Sequence, residues 1–220
     1  MLCTGGVKMA SMPWYAVALI PFGYVLGCFP SAVLVAKAKG HDILTEGSGN
    51  PGASNVARIL GWRYGAMVLL ADFAKGAAAA GVGRVAGGRP AAYLLGCAAV
   101  VGHTYPFRRK GGKGVAAAGG MLVVLFPEVV VALGLVWVLV ARVLHKASIA
   151  SLLITVAFPL TVWLTGYDLW EVAVLSGVAA LLVLRHLPNI RRLVHREEID
   201  VVSRPGAAGD LQTGPDSPMR

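Results

Sequence analysis

The strongest constraint on this chain is the length of its apolar runs. Six of them, at about Trp14–Ala36, Tyr64–Val85, Ala91–Tyr105, Val115–Ala141, Ile149–Thr165 and Leu169–Leu184, alternate with segments that carry most of the charge. About 20 apolar residues match the thickness of a bilayer, and helices satisfy every backbone polar group there without water. Composition agrees: 56% hydrophobic residues, 14% charged residues and a mean hydropathy of +0.68 suit an integral membrane protein better than an ordinary soluble domain. The sequence predicts an all-α polytopic membrane protein. A net charge of +9 does not point to nucleic acid, because the basic residues sit in loops between the apolar runs. Cys3, Cys28 and Cys97 are odd in number and predict no disulfide framework. The first run is too long for a signal-peptide core and contains Pro21 and Pro30, so it reads as an uncleaved span.

Whether Val115–Ala141 crosses once or twice decides the topology, because the second choice moves the C-terminus to the other side. Charge arbitrates. With a turn at Phe126-Pro127-Glu128 the chain has seven spans. One face then collects Lys37, Lys39, Arg58 and Arg63, the four cations Arg108, Arg109, Lys110 and Lys113, Arg142 and Lys146, and the six arginines Arg185, Arg191, Arg192, Arg196, Arg204 and Arg220. The opposite face keeps Lys8, Arg84 and Arg89. A single crossing abolishes this bias. The positive-inside rule favours seven transmembrane helices, with the N-terminus outside and the C-terminus cytoplasmic. Residues 1–12 read as a short tail, 13–202 as the membrane domain and 203–220 as a disordered tail rich in Pro, Gly, Ser and Asp.

This topology brings four polar segments to the cytoplasmic face. Ser48, Gly49, Asn50 and Asn55 belong to a Gly/Ser/Asn stretch suited to an anion-binding turn, and Pro51 reads as the first turn of a short helix carrying Arg58. The second segment holds His103 and then Gly111, Gly112, Lys113 and Gly114, where glycines let backbone N–H groups approach an anion and the next helix begins. Ser148 lies in the third, where it either caps the following span or faces a ligand. His186 and Asn189 lie in the fourth. An arginine fork, a movable lysine and neutral donors describe a pocket for a small phosphorylated, hydroxylated molecule at a bilayer surface. No metal-ligand spacing is evident, no cofactor is expected, and the glycines before Lys113 do not form a P-loop.

Gly47-Ser48-Gly49-Asn50-x-Gly52-Ala53-Ser54-Asn55, Asp72-x-x-Lys75-Gly76, Gly102-His103-x-x-Pro106 with Lys110-Gly111-Gly112-Lys113-Gly114-Val115, and Arg185-His186-x-x-Asn189-Ile190-x-Arg192-Leu193 occur in this order. Together they resemble the bacterial acyl-phosphate:glycerol-3-phosphate acyltransferase family, PlsY type, from about Gly27 to Glu198. The resemblance implies seven spans, a cytoplasmic active site in the bacterial inner membrane, and acyl transfer from acyl phosphate to the 1-hydroxyl of glycerol 3-phosphate. The partners it implies are those two substrates and membrane lipids, for a monomeric enzyme. Arg108-Arg109 and Ala117 depart from the usual pattern, as does Ala147 before Ser148.

Acyl phosphate is an activated anhydride, so the chemistry needs positioning and charge neutralisation rather than a covalent nucleophile. His103, Lys113, Ser48 and Asn189 are the catalytic candidates, with Ser48, Lys113 and the 111–114 turn on phosphate, Arg58 on the second phosphate, and His186 and Asn189 on glycerol. His103 is either the base or a structural hydrogen-bonder, since no acidic partner lies near it in sequence. A phosphate oxygen of a substrate is the other proton acceptor. Asp72 and Lys75 share one face within a span and read as a clamp between helices. An anion transporter is the competing class, but it calls for polar positions along several spans. A phosphatase calls for a nucleophile or metal cluster.

Overall fold

The computed structural model describes residues 13–200, and all regular structure among them is helical. The expected tails at 1–12 and 203–220 lie outside the described residues. The helices are α1 (Trp14–Ala18), α2 (Ile20–Gly27), α3 (Ser31–Lys37), α4 (Ala53–Leu60), α5 (Trp62–Thr104), α6 (Val115–Leu125), α7 (Pro127–Leu144), α8 (Ala147–Leu164), α9 (Leu169–Arg185) and α10 (Leu187–Val194). Four stretches, Trp14–Lys37, α5, α7 and α8, are long and apolar enough to cross a membrane, and the bent pair α9–α10 makes a fifth.

The first apolar run is a span in three pieces. Pro21 and Pro30 have no N–H to donate, and the helix breaks beside each of them, at Leu19 and at Phe29-Pro30. Helix α5 is two helical arms joined at a kink. Gly87 (φ −159°) and Gly88 (φ 71°) leave the helical region just before Pro90, and the chain doubles back. Gly83 packs on the Ala91 backbone, and further along the pair Asp72 faces His103, so the arms run antiparallel. Gly23 and Gly27 of α2 lie against Leu95 and Ala99 of the second arm; a Cβ on Gly27 would collide with the Ala99 backbone. The small-residue pair in the first span is therefore a packing device.

Val115–Ala141 divides at Phe126-Pro127, as the charge argument requires, but unequally. Helix α6 has 11 residues and α7 has 18. The loop before α6 does not lie on the surface, since its Gly111, Gly112 and Gly114 are buried. Gly114 sits in the left-handed region (φ 91°), which a side chain disfavours, and its carbonyl starts the first turn of α6.

Polar residues collect at two ends. At one, Arg89 meets Leu125, Glu171, Phe126 and Tyr167; at the other, Lys113, Gly114, Ser148 and His186 border one cavity. Between them, Met121, Leu122, Phe126, Phe158, Val162 and Leu175 form the largest apolar core. Helix α4 lies across the second end, with Val56 buried against Ala32, Ala36, Ile43 and Val68.

Candidate active site

A cavity of about 600 Å³ opens where the 48–58 segment, the start of α6, the start of α8 and the α9–α10 bend meet. Its polar end brings together Ser48, Asn50, Asn55, Arg58, His103, Lys113, Gly114, Ser148, His186 and Asn189 from segments up to 141 positions apart. Its other end is apolar, with Phe73, Leu122, Leu133, Trp137, Phe158 and Val178. Three of the sequence candidates do not border it. Gly111 and Gly112 line a second cavity of about 400 Å³ on the far side of Asp72 and His103, and these two residues line both spaces. Gly49 lies between the loops, beside the Lys110 ammonium and the Leu44 carbonyl.

The turn that carries Ser48 is built by Asn55. The Asn55 Oδ1 accepts from the Ser48 N–H (2.9 Å) and from Arg58 Nη1 (3.1 Å), while Nδ2 donates to the carbonyls of Glu46 (3.0 Å) and Ile43 (3.3 Å). Its donors and acceptor are all used within the protein. Asn55 therefore shapes the pocket that it also borders. Helix α4 begins at Ala53, two residues after the position expected from Pro51. One turn on, Arg58 reaches the pocket and donates from Nε to the Asp200 carbonyl (2.9 Å).

Among the cations that border the cavity, Lys113 is the exception. It makes no hydrogen bond or ion pair among the described residues, although it lies partly buried in the cavity wall. Burial pushes its ammonium down to about 8, with nearby Arg192, Arg58 and Arg185 adding to the effect and Glu198 opposing it. The glycines before it have a steric reason. A Cβ on Gly112 would strike the His103 ring, and one on Gly111 would strike the Thr104 carbonyl. The Arg185 guanidinium then donates to the carbonyls of Gly111 (2.8 Å) and Gly112 (3.2 Å), which fixes the loop against α9. A lone cation, a set of hydroxyl and amide groups and an apolar trough in one cavity can hold an amphiphile by its phosphate.

The sequence profile of the family described as glycerol-3-phosphate acyltransferase matches residues 17–196. The chain belongs to that family, in its PlsY type. Among similar proteins are glycerol-3-phosphate acyltransferases of Methylococcus capsulatus (42% identical, covering 82% of this chain and 93% of that one) and Rubrobacter xylanophilus (38%, covering 88% and 98%). The fold is similar to the crystal structure of PlsY (YgiH), an integral membrane glycerol 3-phosphate acyltransferase, in its glycerol 3-phosphate form. That match has a TM-score of 0.80 at 36% identity and covers 84% of this chain and 95% of the crystallised one. The lysophosphatidic acid form gives a TM-score of 0.78.

Within this family member, several site residues were not legible as such in the sequence. Asp72 is the first. Read as half of a remote clamp, it does pair with Lys75 (2.9 Å), but it also accepts from the Ser31 hydroxyl (2.5 Å) and lies 3.6 Å from His103 Nδ1. His103 thus has an acidic neighbour after all, supplied by the other arm of the α5 hairpin. At 3.6 Å this is a close approach, not a hydrogen bond. Ser148 was expected either to cap α8 or to face a ligand. The helix instead starts one residue earlier, Lys146 occupies the cap position, and Ser148 is buried at the cavity. Arg192, Lys146 and Glu198 complete the polar end, with Arg192 Nε donating to Glu198 Oε2 (2.8 Å) and Lys146 pairing with Asp200 (2.6 Å). The intramembrane charge pair and the Asp72-x-x-Lys75-Gly76 motif were the signals for Asp72; nothing in the segment after the last helix singled out Glu198. No group of three His, Cys, Asp or Glu residues among those described is placed to hold a metal ion.

Proposed function

We propose that this chain transfers an acyl group from acyl phosphate to the 1-hydroxyl of glycerol 3-phosphate, giving lysophosphatidic acid and inorganic phosphate. The observation that carries this reading is the single cavity with an unpaired lysine at one end and an apolar trough at the other. A phosphate head and an acyl chain on one molecule need both. The glycerol O1 forms a bond to the acyl carbon, the bond from that carbon to the phosphate oxygen breaks, and phosphate leaves with the electron pair. Lys113 and the N-terminal turn of α6 stabilise the charge gathering on that phosphate. Arg58 and Arg192 take the phosphate of the acceptor, and Ser48, Ser148, His186 and Asn189 surround its hydroxyls. The hydroxyl proton passes to His103 or to a phosphate oxygen, and near wild-type turnover in both His103→Ala and His103→Gln assigns it to phosphate.

Seven crossings, with the polar end cytoplasmic, belong to the same reading. It is supported by the two polar ends, since Lys113, Ser148 and His186 share one while Phe126, Tyr167 and Glu171 share the other. Helices α6, α7, α8 and α9 then each run from one end to the other. As the positive charge of the loops gathers at the cavity end, that end faces the cytoplasm. The membrane domain is taken as residues 13–202, acting as a monomer. The deciding assay uses purified protein in nanodiscs with palmitoyl phosphate, palmitoyl-CoA or palmitoyl-carrier protein as sole donor. Lysophosphatidic acid from palmitoyl phosphate alone is expected; product from the thioesters alone would retain acyl transfer and overturn the donor.

A further inference from the structure

The last described residues, 197–200, have no regular structure and lie across the polar end of the cavity. Glu198 is buried there, and both its carboxylate oxygens are engaged. Oε1 accepts from Asn189 Nδ2 at 2.6 Å, Oε2 accepts from Arg192 Nε at 2.8 Å, and its main-chain carbonyl accepts from Lys146 Nζ. Burial works against the charge of this carboxyl, but its contacts with Asn189, Ser148 and Arg192 outweigh that and hold it below the usual carboxylate range.

The pairing fixes which end of the Asn189 amide is which. An ionised carboxylate only accepts, so the amide nitrogen must face Glu198. The amide oxygen is left over. Asn189 is 3% exposed, and its Oδ1 is buried with no hydrogen-bond partner among the described residues. A buried carbonyl oxygen without a donor is costly, so the site is incomplete as it stands. None of its charged neighbours supplies the donor: Arg192 gives its Nε to Glu198, Arg58 is held by the 199–200 main chain, and His186 Nδ1 meets the Leu182 carbonyl (2.7 Å). No described side chain gives this oxygen a donor, and a molecule bound in the cavity can bring one.

We propose that Glu198 is a positioning residue that turns Asn189 into a hydrogen-bond acceptor for a hydroxyl of the acceptor substrate. The inference deepens the acyl-transfer reading and rests on it for the identity of that hydroxyl. Asn189 holds the hydroxyl hydrogen without taking the proton. It thereby directs the oxygen lone pair at the acyl carbon and rejects phosphate esters that lack the group. This reverses the expectation that Asn189 acts as a donor, and it gives the tail a part in specificity. Discrimination by a site with a buried unpaired polar group is large, because an analogue without the hydroxyl leaves that group unsatisfied.

The test reads binding, so that it stands apart from the identity of the acyl donor. Affinities of glycerol 3-phosphate and n-propyl phosphate are measured by calorimetry on the full chain in nanodiscs. Wild type is expected to prefer glycerol 3-phosphate by about tenfold or more, the equivalent of one hydrogen bond to a buried group. Asn189→Ala and Glu198→Ala each bring the ratio close to one, and the double variant loses nothing further, because Glu198 acts through Asn189. Glu198→Gln, which still offers Asn189 an amide oxygen, recovers most of the preference. No preference in wild type, or additive losses in the double variant, would overturn the proposal. So would Glu198→Ala binding both esters more tightly, which would make the carboxylate a plug in the phosphate site. If wild type discriminates yet transfers no acyl group from palmitoyl phosphate, the acyl-phosphate reading fails and this assignment stands.

Discussion

Two polar clusters sit at opposite ends of the helices, and they are built on opposite plans. At the α5 hairpin, Arg89 donates from Nε and Nη2 to both oxygens of Glu171 (3.1 and 2.6 Å) and from Nη1 to the Leu125 carbonyl (3.0 Å). Tyr93 donates to the same carboxylate (2.6 Å), and the rings of Phe126 and Tyr167 close over the guanidinium at 4.8 and 5.4 Å. One positive charge meets one negative charge, and the geometry is complete. Around the cavity, Arg58, Lys113, Lys146 and Arg192 meet Glu198 and Asp200, the third acid, Asp72, is already paired with Lys75, and Lys113 has no partner among the described residues. A closed cluster holds helices together. An open one stores a demand for an anion, and that demand is the binding energy.

Breaking each cluster should separate the two roles. The largest effect is expected at Lys113. Lys113→Ala should lower kcat/KM for glycerol 3-phosphate acylation by about 10²–10³, the scale of removing one preorganised charge stabiliser, while the melting temperature in detergent holds. Arg89→Ala should do the reverse. It leaves Glu171 buried and unpaired, which costs about 3–5 kcal/mol of stability, yet the folded fraction should turn over at the wild-type rate. A drop in kcat in that variant well below its melting temperature would erase the distinction.

The pH profile sharpens it further. Burial lowers the Lys113 ammonium to about 8, so the cation is present below that pH and lost above it. Because kcat/KM follows groups of the free enzyme, it should fall as pH rises through about 8. The same shift makes stability rise with pH between about 8 and the ordinary lysine value, where the unfolded chain holds the extra proton. Lys113→Arg keeps its charge and should move the alkaline limb upward. The smallest effect is expected at the rim of the second cavity. Arg108→Gln with Arg109→Gln removes two exposed cations and should change kcat/KM by less than about twofold at physiological salt.

Much of this contrast was written in the sequence, and the exceptions share a cause. The apolar runs, the break at Phe126-Pro127 and the motifs bearing Ser48, Arg58, Lys113 and Asn189 are local signals, and the helices and the cavity follow them. The Asp72–His103 contact joins the two arms of a hairpin whose pairing no local pattern reveals. The Arg89–Glu171 pair spans 82 positions. Asn55 reads as a pocket residue by type, and only the geometry shows that its amide also builds the turn that carries Ser48. Glu198 lies in a short run with Glu197 and Asp200 after the last helix, and nothing set it apart from them until the chain folded it onto Asn189.

Binding of glycerol 3-phosphate to wild type, Lys113→Ala and Glu171→Gln at pH 7, measured by calorimetry in nanodiscs, tests the open-cluster idea most directly. Expected is a loss of affinity in Lys113→Ala and an unchanged constant in Glu171→Gln, even though the latter melts at lower temperature. Equal weakening in both variants, or none in Lys113→Ala, would contradict it.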